Sequence, residues 1–130
     1  MLKFAYTIFY VPDVQEAIGF YEKAFGFKRK FIAPENEYGE LNTGDTTLSF
    51  CSIALAKTHF PGGFLEPDPA KKPFGIEVAF ATDDVTAVYN KAVAAGAKSE
   101  AEPGKKPWGQ TVAYVRDING YLIEICTPVQ

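Results

Sequence analysis

The sequence repeats its own pattern once, and no other feature limits its folds so strongly. FAYTIFYV (4–11) and FGIEVAFA (74–81) each predict a strand from their aromatic and β-branched content. After the first, Pro12 ends the run and Asp13 opens a helix, with Glu16 three residues later in capping-box position. Val14, Ala17, Phe20, Tyr21 and Ala24 recur at helical spacing, and Gly26 sits where a helix-ending glycine belongs. After the second, Asp84 opens a helix with Val85, Val88, Tyr89, Ala92 and Val93 on one face, and Gly96 ends it. Position by position, Phe9 matches Phe80, Asp13 matches Asp84 and Val14 matches Val85; with a one-residue slip Gly26 matches Gly96. Further on, Leu48-Ser49-Phe50-Cys51 matches Ile123-Glu124-Ile125-Cys126.

The rest of each half reads as strand. FKRKFIA (27–33), EYGELNT (37–43) and TTLSFCSI (46–53) follow the first helix, with Gly44-Asp45 as a tight turn. The second helix is followed by a short edge strand AKSEAE (97–102), a loop PGKKPWG (103–109) and the strand QTVAYVRD (110–117). A hairpin turn at Asn119-Gly120 and the strand YLIEICT (121–127) complete the half. Residues 54–73, with THFPGGFLEPDPAKKP, predict a linker or mobile loop. The expectation is therefore a single α+β domain, 1–130, of two tandem βαβββ modules, 1–57 and 74–130, joined by a linker loop, 58–73. Each module alone leaves one sheet face open; together they would form a cupped mixed β-sheet around a shared cavity.

Composition removes several function classes. A net charge of −3 and a pI near 5.1 leave no basic face for nucleic acid. There is no run of about 18 apolar residues to cross a membrane, and the start lacks a signal-peptide core and cleavage site, so the expected location is cytoplasmic. Cys51 and Cys126 make no disulfide framework and are expected as buried small hydrophobes. The single histidine, His59, lies in the loop and leaves no Ser-His-Asp or Cys-His arrangement. Gly62-Gly63 lacks the strand and helix that flank a phosphate-cradling loop.

The last strand carries a carboxylate inside an apolar run. Glu124 shares a face with Leu122 and Cys126, so that face either meets water or lines a site that takes a negative oxygen. Two runs then carry a family resemblance. Phe20-Tyr21-Glu22-Lys23-Ala24-Phe25-Gly26-Phe27 is similar to the helix-ending FYxxxLGF run of the vicinal oxygen chelate superfamily. Asp117-Ile118-Asn119-Gly120-Tyr121-Leu122-Ile123-Glu124-Ile125 resembles its closing D-P-D/N-G-x-x-I-E-L run. That superfamily includes glyoxalase I, bleomycin-resistance proteins, extradiol dioxygenases and fosfomycin-resistance enzymes, and the resemblance covers the whole chain. It implies paired βαβββ modules, usually in a homodimer, with a ligand site in the cupped sheet. In metal-using members the first and last strands of each module supply one ligand each. Matching strand to strand places Tyr6, Ser49, Glu77 and Glu124 there, and the repeat sets Tyr6 opposite Glu77 and Ser49 opposite Glu124. Glyoxalase I carries His or Gln, Glu, His and Glu at these positions, so only Glu124 agrees. The two-histidine-one-carboxylate iron site of the dioxygenases is not available.

The resemblance implies a glyoxalase/bleomycin-resistance-like protein that binds a small organic ligand in the sheet cavity, without the usual metal site and with no cofactor expected. One alternative is a metal-dependent lyase of the glyoxalase I (lactoylglutathione lyase) type, with a divalent metal on the two glutamates. Another is a non-catalytic, drug-sequestering antibiotic-resistance protein. Whether the ligand is turned over stays open. Glu124 and Glu77 are the candidate catalytic residues: nearby carboxylates repel, one pKa rises, and a general base results. Tyr6, Ser49, Trp108 and Tyr114 are candidate ligand-binding residues, the aromatic ones through stacking and cation–π contact. Plainer readings stand beside these. Both glutamates could face solvent, Tyr6 could be a core tyrosine, Trp108 a plug over a sheet edge, and Arg116 half of a surface ion pair. The expected partners are a small molecule and a second copy of the chain, with no nucleic acid and no membrane.

Overall fold

The computed structural model describes residues 1–129. They form an α+β fold of two tandem modules, each with a four-stranded mixed sheet. Contacts divide the chain into two units, residues 1–22 with 26–66, and residues 23–25 with 67–130.

The first module is built from β1 (Tyr6–Val11), α1 (Val14–Phe25), whose last three residues count with the second unit, β2 (Lys28–Ile32), β3 (Tyr38–Asn42), β4 (Thr47–Ser52) and a short α2 (Ile53–Ala56). The sheet order is β1-β4-β3-β2, with β1 parallel to β4 and the other pairs antiparallel. The start of α1 is fixed as its sequence predicts: the Asp13 side chain accepts the Glu16 N–H at 3.1 Å. Its end is fixed by Gly26 at φ 74°, whose N–H reaches the Glu22 carbonyl. Val14, Ala17, Ile18 and Tyr21 are buried, and the Tyr21 ring lies 5.2 Å from that of Phe50 on β4. A Cβ at Gly39 would meet Ile18 Cδ1 at 2.6 Å, so the glycine is what lets the helix approach β3. One face of the sheet, with Phe9, Leu41, Leu48 and Phe50, is thereby closed, and alternation sends Tyr6, Tyr38, Glu40 and Ser49 to the other face.

The stretch expected to be a free loop from residue 54 is partly ordered. Ser52 caps α2 by accepting the Leu55 N–H at 3.1 Å. Phe60 and Phe64 follow, 5.7 Å apart, and Phe64 packs 4.8 Å from Tyr10 of β1. The proline and glycine signals hid this helical turn and its aromatic anchor.

The second unit repeats the plan with β5 (Glu77–Ala81), α3 (Val85–Ala94), β6 (Lys98–Lys105), β7 (Thr111–Arg116) and β8 (Leu122–Cys126), in the order β5-β8-β7-β6. Asp84 caps α3 through the Ala87 N–H at 3.1 Å. The helix runs to Ala94 with Ala95 as its cap, and Gly96 follows at φ 117° to end it as the sequence predicts. Two further expectations are corrected. β5 begins at Glu77, so residues 74–76 are not strand. β6 extends through Pro103 and Gly104, which the sequence reading gave to a loop. A proline is tolerated there because β6 is the sheet's edge, and its pairing with β7 slips in register around these residues.

The Asp117–Tyr121 turn is built as a clasp. Asp117, 2% exposed, accepts the N–H groups of Asn119 and Tyr121, both at 2.9 Å. Arg116, 3% exposed, turns its guanidinium onto backbone carbonyls. It donates to Gly120 at 3.0 Å, to Pro69 and Asp68 at 3.2 Å, and to Lys71. Its link to Glu100 is long, at 3.9 Å. Arg116 therefore ties residues 68–71 to the sheet, and the expected surface ion pair is not its main role. Among the described residues, no helix is long and apolar enough to cross a membrane.

Candidate functional site

In the second unit, register brings two carboxylates together. β5 runs parallel to β8 with Glu77 beside Leu122 and Ala79 beside Glu124. Glu77 and Glu124 are thus diagonal neighbours on one face, a spacing that long side chains bridge. They hydrogen-bond to each other. Tyr114, directly opposite Glu124 across the β7–β8 pair, donates its hydroxyl to Glu124 Oε1 at 3.0 Å. The Cys126 thiol, two residues along β8 on the same face, also bonds to Glu124, and the Lys106 charge acts on it.

These contacts divide the pair. The hydrogen bond to Glu124 pushes Glu77 up to about 7, with burial and the neighbouring charge adding to the effect. Burial also pushes Glu124 upward, but the hydrogen bonds from Glu77, Tyr114 and Cys126, with the Lys106 charge, outweigh it and hold Glu124 below the usual carboxylate range. The two titrate as a pair, sharing one proton and one negative charge between the lowered pKa of Glu124 and about 7. Burial and then Glu124 push Tyr114 up to about 12 and Cys126 to about 11, so phenol and thiol are neutral donors at pH 7.

The first unit carries the counterpart face with different chemistry. Tyr6 and Ser49 hold the same diagonal relation, Tyr6 beside Thr47 and Ile8 beside Ser49. Tyr6 is half exposed, whereas Ser49 is fully buried and donates to the Thr7 carbonyl at 3.2 Å. The carboxylate here is Glu40, one strand over and opposite Ser49. It accepts from Tyr38 Oη at 2.6 Å and pairs with Lys30 at 3.5 Å. Burial, then the bond to Glu40, pushes Tyr38 up to about 12. Sequence reading missed Tyr38 and Glu40. Their spacing of two within a strand put them on one face, but only register set Glu40 against Ser49.

Of the sequence candidates, the structure joins Glu77, Glu124 and Tyr114 in one hydrogen-bonded group and sets Tyr6 with Ser49 in the first unit. Trp108 lies elsewhere in the second unit, beyond the ends of β7 and β8. There a cavity of about 400 Å³ is lined by Trp108, Gly109, Gln110, Thr127, Pro128 and Val129.

Among the described residues, no three His, Cys, Asp or Glu side chains converge where an ion could sit. Glu77 and Glu124 bond to each other, Tyr114 is a neutral phenol, and Ser49 is committed to a backbone carbonyl.

Comparison with known proteins follows the same lines. Residues 3–125 match the family model described as Glyoxalase/Bleomycin resistance protein/Dioxygenase superfamily. No curated protein matches the chain. Among solved structures, a glyoxalase-related enzyme from Fulvimarina pelagi superposes with a TM-score of 0.83 at 19% identity, covering 98% of this chain and 89% of the other. A glyoxalase/bleomycin resistance protein/dioxygenase family enzyme from Burkholderia phytofirmans gives 0.77 at 19% identity, covering 99% and 100%. A member of the same superfamily from Sphaerobacter thermophilus gives 0.72 at 18%, covering 98% of each chain. At such identities the likeness is one of fold.

Proposed function

This chain belongs to the glyoxalase/bleomycin resistance protein/dioxygenase superfamily, and we propose that it is a member that binds a small organic molecule on the Glu77–Glu124 face of its second module without a metal ion. The observation that carries this reading is the placement of Glu77 and Glu124 as diagonal neighbours on one sheet face, with Tyr114 opposite Glu124 and its hydroxyl on Glu124 Oε1 at 3.0 Å. A carboxyl pair that shares one proton offers a donor and an acceptor side by side. It can grip a polar head group from both sides. It can also serve proton transfer: Glu124 accepts a proton from an activated C–H while Glu77 gives one to the oxygen that takes up the electron pair. A cationic head would be favoured by the pair's single negative charge. We further propose a homodimer, on the family resemblance; sedimentation equilibrium would test it.

The test begins with elemental analysis of the purified protein before and after chelator. Metal near background supports the proposal. About one equivalent of a divalent metal, lost with Glu77→Ala, would overturn it in favour of a lyase of the glyoxalase I type. A calorimetric screen of cationic and aromatic drugs and of diketone–thiol adducts follows. A hit should lose at least tenfold in affinity on Glu124→Gln if the protein only sequesters its ligand. If it is an enzyme, turnover should collapse while binding survives.

A further inference from the structure

The turn before β7 holds a feature that the carboxyl pair does not use. Trp108 is 68% exposed, yet its indole is fixed in place. Its N–H donates to Gln110 Oε1 at 2.7 Å, and Gln110 Nε2 in turn donates to the Thr127 carbonyl at 2.7 Å. Thr127 Oγ1 accepts the Thr111 N–H at 3.0 Å, locking the end of β8 to the start of β7. The turn is closed by Lys106 N–H to Gln110 O at 2.7 Å and Gly109 N–H to Lys106 O at 2.9 Å. An exposed aromatic ring that only covered a sheet edge would need none of this chain of bonds. The ring is pre-organised, and a cavity lies beside it.

From this geometry we infer a second binding site, the cavity beside Trp108, which takes an uncharged planar aromatic molecule. Its volume, about 400 Å³, is that of a small-molecule site rather than a peptide groove. Among the described residues its wall holds no charged side chain to compensate the desolvation of an ionic ligand. The indole N–H and both ends of the Gln110 amide are already engaged, which leaves the ring faces of Trp108 and Pro128 and the side chain of Val129 as the contact surface. A flat ring stacked on the indole uses that surface without demanding a new hydrogen bond.

Trp108 is the only tryptophan in the chain, so its indole N–H gives one unambiguous NMR signal. Full-length ¹⁵N-labelled protein is titrated with 2-naphthol, which is neutral at pH 7. The expected result is a saturable shift of that signal and of the Gly109 and Val129 amides. 2-Naphthoate and 2-naphthylmethylammonium should bind at least tenfold more weakly. Trp108→Ala, a change at an exposed position, should weaken 2-naphthol at least tenfold as read at the Gly109 amide. Gln110→Ala should weaken it less, by freeing the ring. Glu77→Gln should leave the titration unchanged. The inference is overturned by no saturable shift, by equal binding of the charged analogues, or by shifts centred on Glu124 and Tyr114 that Glu77→Gln abolishes. The last result would place the ring at the carboxyl pair and leave that reading standing.

Discussion

Replacing Gly120 with alanine tests the clasp at the end of β7. A Cβ at this position would lie 2.8 Å from the Arg116 guanidinium, 2.9 Å from Pro69 N and 3.0 Å from Asp68 C. Two of these are backbone atoms, and the third belongs to a side chain pinned by carbonyls, so none can yield cheaply. The residue also sits at φ 96°, where a side chain costs about 1–2 kcal/mol. Displacing packed neighbours adds about 1–3 kcal/mol. Gly109 provides the control: its φ is 101°, but a Cβ there meets nothing within 4 Å. Gly109→Ala should therefore carry only the conformational part. For a domain of this size about 1 kcal/mol moves the Tm by roughly 3–5 °C. Thermal unfolding followed by circular dichroism should show a fall of roughly 6–25 °C for Gly120→Ala and roughly 3–10 °C for Gly109→Ala, with the first the larger. Amide exchange in residues 68–71 should accelerate in the first variant alone. Equal falls in Tm, with no change in exchange, would refute the argument that close approach by 68–69 requires this glycine.

Four further outcomes follow from the site. Glu77 has its folded pKa raised from 4.5 to about 7, so the stability it confers is present below pH 4.5 and is lost as the pH rises to about 7; Glu77→Gln should flatten that decline in urea unfolding measured across the range. Glu124, with a lowered pKa, acts in the opposite sense, and its contribution should fade only below the usual carboxylate range. Cys126 is buried with its thiol pushed up to about 11, so a disulfide reagent at pH 8 should label it slowly in the native protein and quickly in denaturant. Glu124→Gln should speed the native labelling, because the carboxylate is one of the groups that holds the proton on sulfur.

The duplicated plan was legible because it is written in local signals. Asp13 and Asp84 cap their helices as their neighbours suggest, and strand alternation placed Glu77 and Glu124 on usable faces. The family resemblance chose Tyr6, Ser49, Glu77 and Glu124, and the repeat matched Tyr6 with Glu77 and Ser49 with Glu124; that Tyr6 neighbours Ser49 and Glu77 neighbours Glu124 within one sheet comes from the register of the parallel pairs. What stayed hidden depends on partners remote in sequence. Arg116 looked like a surface charge because the carbonyls that hold it lie 45–48 residues away. Tyr38 and Glu40 gained meaning only from the register of β3 on β4. The ordered start of the long loop was masked by its prolines, and the strand around Pro103 by the rule that prolines break strands, which an edge position relaxes.

The two sheets share one strand order, and that order sets a timetable for synthesis. In each, the first strand made pairs only with the last: β1 with β4, and β5 with β8. The first module therefore has all four strands once residue 52 is made. In the second, β5 waits for Leu122–Cys126. A chain cut short after Gly120 would keep a whole first sheet but leave β5 with both edges bare, a template for pairing with other chains. Loss of β8 would thus be felt first as aggregation rather than as a missing binding site.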